Sequence, residues 1–228
     1  MAGNYDKQVL LSRALFLNYD QQEIIDRYRL DADEDYIYLP LLNRMYRISR
    51  KDGVVESQIP SSDKNTPMTT NSNVSCSDNP CTYKECLDFN VVMTLYDVLC
   101  YPAGTPLLSH QWVPLANLQM TSSPSADIFT QKYATAFSGK TDLLWDVCQE
   151  IGGRRPKVMA GADVCWEFDF FPFFPIQFRY WDKDEEFPAQ IRLLWDKNAL
   201  KFMHFETIYY AMHVLLEIIK CYLPITSS

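Results

Sequence analysis

The last third of the chain carries three runs, "DVCWEFDFF" (163–171), "PIQFRYW" (175–181) and "AQIRLLW" (189–195), in which apolar and polar residues alternate and short breaks intervene. Period-2 alternation marks strands that bury one face, and such short breaks leave neighbouring runs room only for antiparallel hairpins. With Ile176, Phe178 and Tyr180 facing a core together with Ile191, Leu193 and Trp195, alternation puts Gln177, Arg179 and Trp181 on one face with Gln190, Arg192 and Leu194. Arg179 then lies opposite or diagonal to Arg192, and two guanidiniums across a ladder repel, so an anion is expected nearby. The connecting loop supplies the nearest candidates, Asp182, Asp184, Glu185 and Glu186.

After these strands "HFETIYYAMHVLLEIIKCYL" (204–223) has Ile208, Met212, Leu215, Ile219 and Tyr222 on one helical face and Glu206, Tyr210, His213, Glu217 and Lys220 on the other, with Pro224 as a stop. Upstream, residues 5–18 place Leu10, Ala14 and Leu17 at helical spacing. A second helix is expected at "DQQEIIDRY", where Asp20 and Glu23 stand in the reciprocal capping arrangement. "DYIYLPLLNRMYRISRKDGVVES" reads as two or three short strands around the Asp52-Gly53 turn. Residues 56–82 are mostly Ser, Thr, Asn and Pro and are expected to be a flexible insertion. The spacing then predicts a helix opened by Thr82 and Glu85, with a Leu87, Val91, Leu95, Val98 stripe, ended by Pro102 and Gly104. Two more helices are expected, from about Ser125 to Phe137 and from Thr141 to Gly152. The whole reads as α+β: one domain over 1–228, a largely antiparallel sheet with helices packed on it, and C-terminal strands followed by a closing helix.

A formal charge of −8 argues against nucleic acid or an anionic membrane as partner, because both require a basic footprint. Asp6, Lys7 and Arg13 interrupt the apolar positions of the N-terminal stretch, which therefore reads as neither a signal peptide nor a span, and a cytoplasmic location is expected. Seven cysteines, an odd count, then read as thiols, with Cys100, Cys148, Cys165 and Cys221 in the core. Cys76, Cys81 and Cys86 match no common zinc or iron–sulfur spacing, and no metal or other cofactor is expected. The chain lacks phosphate-binding glycine loops and a nucleophile elbow. "GGRRP" (152–156) reads as a helix stop with two arginines that could meet a phosphate.

Several stretches together resemble an uncharacterised family, domain-of-unknown-function family 3786, found mainly in anaerobic bacteria and archaea. They are "PFFPIQFRYWDKDEEFPAQIRLLWDKNALKFMHFETI" above all, then "YDQQEII", "YIYLPLLNRMYRISRKDGVVE" and "MTLYDVLCYPAGTPLLSHQWVPLANL" in the same order. The resemblance implies no established reaction. Some relatives are joined to cysteine-rich iron–sulfur modules, which makes an accessory role in anaerobic metallocofactor systems an alternative by analogy.

The residues themselves favour a protein that binds a small ligand or a protein partner. The expected cleft lies between the acidic turn 182–186 and the start of the last helix, and Arg179, Trp181, Asp182, Asp184, Glu185, Glu186, Arg192, His204 and Glu206 line it. The competing class is an enzyme in which one of these carboxylates or His204 moves a proton. A carboxylate buried beside such a cleft would show a raised pKa. His213, one turn before Glu217, reads as a solvated pair, and His110 in "SHQWVPL" has no assigned role.

Overall fold

The computed structural model describes residues 4–59, 82–118, 126–159 and 161–223, divided between two compact units, Met1–Cys100 and Tyr101–Ser228. Most of the 56–82 insertion, with Cys76 and Cys81, lies outside the described residues, as do Ser125 and Pro224. The architecture is α+β, and both of its four-stranded sheets are antiparallel throughout.

The first unit opens with α1 (Asn4–Asn18), which packs on α3 (Phe89–Cys100). The Leu10–Ala14–Leu17 stripe faces outward, with Leu10 55% exposed, while Phe16 is fully buried beside half-buried Val9, Ser12 and Arg13. Two polar residues sit on the inward face, so apolar spacing alone points to the wrong side. Asp20 caps α2 (Gln21–Tyr28) by accepting from the backbone N–H groups of Gln22 and Glu23. Glu23 does not complete the expected reciprocal box and pairs instead with Arg27. Arg27, buried, donates to the Leu99 carbonyl at 3.1 Å, and the Tyr28 hydroxyl to that of Val98 at 3.0 Å, so the C-terminal carbonyls of α3 are satisfied by α2.

Strands β1 (Tyr36–Leu41), β2 (Arg44–Ser49), β3 (Val55–Gln58) and β4 (Tyr83–Glu85) form a meander in chain order. Ile37 lies opposite Ile48 and Leu39 opposite Tyr46, and all four are buried. Gly53 holds the β2–β3 turn at φ +74°, where a Cβ would lie 2.9 Å from Arg13 Cγ. Backbone conformation and the approach of α1 therefore both require glycine there.

The helix expected from Thr82 begins only at Phe89. Its cap is Asp88, which accepts from the N–H groups of Asn90 and Val91, and Leu87, placed on the buried stripe by spacing, is 85% exposed. Tyr83–Glu85 instead joins the edge of β3, and Cys86 lies in the extended link between β4 and α3. The open edge offers this triplet backbone hydrogen bonds that a local capping pattern cannot reveal.

In the second unit β5 (Trp112–Pro114), β6 (Val164–Phe171), β7 (Phe174–Trp181) and β8 (Gln190–Asp196) lie in the order β5-β8-β7-β6. Helices α4 (Ala126–Phe137), α5 (Thr141–Glu150) and α6 (Phe205–Tyr222) accompany them, α4 packing on β8 and α6, and α5 on β6 and α6. Phe168, Phe170, Phe171, Phe174, Ile176, Phe178 and Tyr180 are fully buried, as the aromatic density of the sequence requires. Pro175 lies within an interior strand beside the register shift between Asp169 and Phe171, where an interrupted ladder tolerates a missing N–H. Of the predicted apolar face of α6, Ile208, Met212, Leu215 and Ile219 are buried and Tyr222 is half-buried, and burial widens to take in Ala211, Val214, Leu216 and Ile218. Cys100, Cys148 and Cys165 are buried, but Cys221 is exposed beside Lys220 in the last turn of α6, contrary to its expected core position.

Asp88→Ala should lower the unfolding free energy by about 1 kcal/mol, the usual worth of an N-cap. Thr82→Ala should change it by less than about 0.5 kcal/mol, as for a surface position. Urea denaturation of the two variants distinguishes the observed helix start from the one the spacing predicts.

Candidate functional site

Core packing of β7 against β8 places Ile176 opposite Trp195, Phe178 opposite Leu193 and Tyr180 opposite Ile191, with every one of these side chains buried. On the other face Arg179 lies directly opposite Arg192 and Trp181 opposite Gln190, as alternation requires. The Arg192 guanidinium lies 5.6 Å from the centroid of the Trp181 ring, whose Nε1 donates to the Gly161 carbonyl at 2.8 Å. Arg179 Nε donates to Gln177 Oε1 at 2.7 Å, and Gln177 Nε2 donates to Glu167 Oε1 at 2.9 Å. The anion that this face needs is thus Glu167 of β6, reached through a buried amide. Among the described residues no carboxylate forms an ion pair with either arginine.

The acidic turn does not serve the arginines, which corrects the expected pairing. Asp182 shares the parity of Tyr180 and so leaves the sheet on the opposite side from Arg179. Its carboxylate accepts from the Gly139 N–H (2.9 Å to one oxygen, 3.0 Å to the other), the Ser138 and Thr141 hydroxyls (3.1 Å each), the Tyr180 hydroxyl (2.8 Å) and the Lys183 N–H (2.8 Å). It therefore ties the end of β7 to the α4–α5 turn, where Gly139 has φ +75°. Asp184 accepts from the N–H groups of Glu186 and Phe187 and closes the turn on itself, while Glu185 and Glu186 are exposed. An open depression of about 270 Å³ beside Asp182 is lined by Gly139, Lys140, Thr141, Asp142 and Leu143.

Burial opposes the charge on Asp182, but the Gly139 N–H, the Tyr180 hydroxyl and the other donors outweigh it and hold the carboxyl at about 2. Asp184 is lowered by its two backbone donors. Both shifts run opposite to the raised value that an acid–base carboxylate in a cleft would carry.

His204 and Glu206 stand elsewhere. His204 is the N-cap position of α6, its side chain makes no capping bond, and its ring packs on Tyr101 with centroids 3.9 Å apart. Between it and the acidic turn runs the whole of β8, roughly 20 Å at the rise of a strand. The two borders of the expected cleft therefore lie at opposite ends of a strand, and the structure does not bring them together. It does bring together Arg179, Arg192 and Trp181.

The arginines of "GGRRP" are also engaged: Arg154 pairs with Asp169, and Arg155 lies 4.8 Å from the Trp145 ring centroid. Two polar centres were not assigned from the sequence. Asp196, 2% exposed, accepts from Ser109 N–H and Oγ, His110 N–H and Asn198 N–H, which moors the 109–111 loop to β8 and accounts for His110 as a left-handed turn residue at φ +57°. Burial raises the Asp196 carboxyl, and these donors bring it below the ordinary range. Tyr133 of α4 places its hydroxyl 2.9 Å from both His213 and Glu217, so these two meet through a phenol and are not the simple solvated pair their spacing implies. Glu167 is within reach of strand alternation in β6; the contacts of Asp196 with Ser109 and His110, and those of Tyr133, join residues 80 or more positions apart, which no local pattern reveals.

The fold and this arrangement define an α+β protein with two all-antiparallel sheets and a paired-arginine face on the second. The profile of the family described as domain of unknown function (DUF3786) matches residues 69–217, and the chain belongs to that family. The match spans the arginine pair, the acidic turn and the Tyr133–His213–Glu217 group. No curated protein and no solved structure matches the chain. Among the described residues no helix is long and apolar enough to cross a membrane, and no group of three or more His, Cys, Asp or Glu side chains is placed to hold a metal ion.

Because its pKa is lowered on folding, Asp182 contributes stability that is fully present above the ordinary value of 3.8 and is lost as pH falls toward about 2. After allowance for solvent screening that contribution is about 1–2 kcal/mol. Urea denaturation between pH 5 and pH 2 should show this acid-side loss in the native protein and its reduction in Asp182→Asn.

Proposed function

We propose that this is a cytoplasmic binding protein whose second unit takes a small anionic ligand, a carboxylate or a phosphate, on the face that carries Arg179 and Arg192, with Trp181 as a flat wall. One observation carries the reading: two guanidiniums stand opposite each other on neighbouring strands, and among the described residues neither forms an ion pair, Arg179 reaching Glu167 through Gln177 and Arg192 lying over the Trp181 ring. Arg179 is half-buried and Arg192 exposed, so an anion can reach between them without unfolding the sheet. Guanidinium forks suit planar carboxylates and phosphates through paired N–H donors. In a chain of net charge −8 an anion gains little from the general field, so the local pair must supply the attraction.

Binding is favoured over acid–base chemistry at the turn because Asp182 and Asp184 are held ionised by N–H donors. Carboxylates of that kind neither keep a proton for donation at neutral pH nor accept one readily.

Titration with inorganic phosphate and with succinate, followed by tryptophan fluorescence and calorimetry, should give saturable binding that weakens with added salt. Arg192→Gln should weaken it by about tenfold or more, the loss expected for a charge-assisted hydrogen bond. Trp181→Phe should remove most of the fluorescence response. Absence of saturation by either anion at about 10 mM, weaker than ordinary ligand affinities, or equal binding by Arg192→Gln, would refute the reading.

A further inference from the structure

The second centre lies on the seam between α4 and α6 and does not depend on the arginine pair. Tyr133 is 1% exposed, and its hydroxyl lies 2.9 Å from His213 Nδ1 and 2.9 Å from Glu217 Oε1. A phenol has one proton to give. Glu217 is ionised: burial raises its carboxyl, but the hydrogen bond from the Tyr133 hydroxyl and the Lys220 ammonium outweigh that. An ionised carboxylate only accepts, so the Tyr133 proton goes to Glu217. The Tyr133 oxygen must then accept from the histidine, so in the neutral form of the ring the proton sits on Nδ1 and Nε2 carries the lone pair.

Among the described residues no other group engages that lone pair. His213 is half-buried and makes no other hydrogen bond among the described residues. Its ring meets Phe129 edge-on at 6.3 Å. From α4, the Lys132 ammonium lies 4.6 Å from the Tyr133 centroid; from α6, the Lys220 ammonium lies 6.0 Å from that centroid and 3.4 Å from Glu217.

We propose that His213 Nε2 is a proton-accepting site for a substrate or partner group that carries a weakly acidic O–H or N–H, with Tyr133 and Glu217 as positioning residues. In the transfer the O–H or N–H bond of that group breaks and its electron pair stays behind, while Nε2–H forms and the ring becomes imidazolium. The Tyr133 proton does not move; Glu217 offsets the new positive charge through it. This is the role an orienting carboxylate plays behind a histidine base, with a phenol interposed.

The chain has three histidines, His110, His204 and His213, so each can be assigned by single substitution. Two-bond proton–nitrogen NMR at neutral pH should show His213 as the Nδ1–H tautomer, and both Tyr133→Phe and Glu217→Gln should shift it toward the Nε2–H form. Diethyl pyrocarbonate should acylate His213 several-fold faster than His110 or His204, since Nε2 attacks the carbonyl carbon and ethyl carbonate leaves; Glu217→Gln should slow that reaction several-fold. Tyr133→Phe strips a buried hydroxyl and can cost the fold, whereas Glu217 is half-exposed and its variant keeps the test open. An Nε2–H tautomer in the native protein, an unchanged His213 spectrum in Glu217→Gln, or His213 reacting no faster than the other two would overturn the proposal.

Discussion

The register of β7 against β8 governs the rest of the second unit. Six side chains, Ile176, Phe178, Tyr180, Ile191, Leu193 and Trp195, face the core from this ribbon, and none is more than 5% exposed. Burying each large apolar side chain contributes about 1.5–3 kcal/mol. Like charges opposed across a partly exposed ladder cost about 1 kcal/mol or less. A slip of one residue would turn Gln177, Arg179 and Trp181 inward and forfeit the larger quantity to relieve the smaller. The arginine pair is thus imposed by the core, and the sheet answers it with Glu167 held one residue further away.

The acid excess has a different outlet from the one an acidic turn first brings to mind. Asp20, Asp33, Asp52, Asp88, Asp182, Asp184 and Asp196 each accept at least one backbone N–H at a helix start or a turn. A carboxylate so placed satisfies donors that helix and strand ends leave open, and at Asp52, Asp182, Asp184 and Asp196 those donors hold the carboxyl below its ordinary range. Clustered aspartates in this chain mark chain reversals, and "DKDEEF" forms no ion pair with an arginine among the described residues.

Elements whose signal is local were legible in the sequence. Alternation in 175–181 and 189–195 placed Arg179 beside Arg192, and Gly139 and Gly152 marked the helix stops, both at positive φ. Features decided by a distant partner were not. Strand β4 exists because β3 has an open edge, and β5 because β8 has one. Asp182 belongs to the α4–α5 turn, more than 40 residues upstream, so its sequence neighbours gave it to the wrong arginines. The outward stripe of α1 shows the same limit, since apolar spacing marks a face but does not say whether anything covers it.

The two centres share one construction. In each, a neutral side chain stands between a nitrogen group and its carboxylate: Gln177 between Arg179 and Glu167, Tyr133 between His213 and Glu217. A direct carboxylate contact would orient the guanidinium or imidazole and also set a full negative charge against it. An amide or a phenol passes on orientation, because it accepts on one side and donates on the other, yet it keeps the negative charge several ångströms further off. The weaker Coulomb term at that distance leaves the nitrogen group fixed in direction but incompletely neutralised. Rigid placement with unspent binding capacity is what a recognition site requires. In both centres the intermediary is nearly inaccessible to water, Gln177 at 3% and Tyr133 at 1% exposure, so solvent cannot substitute for either link.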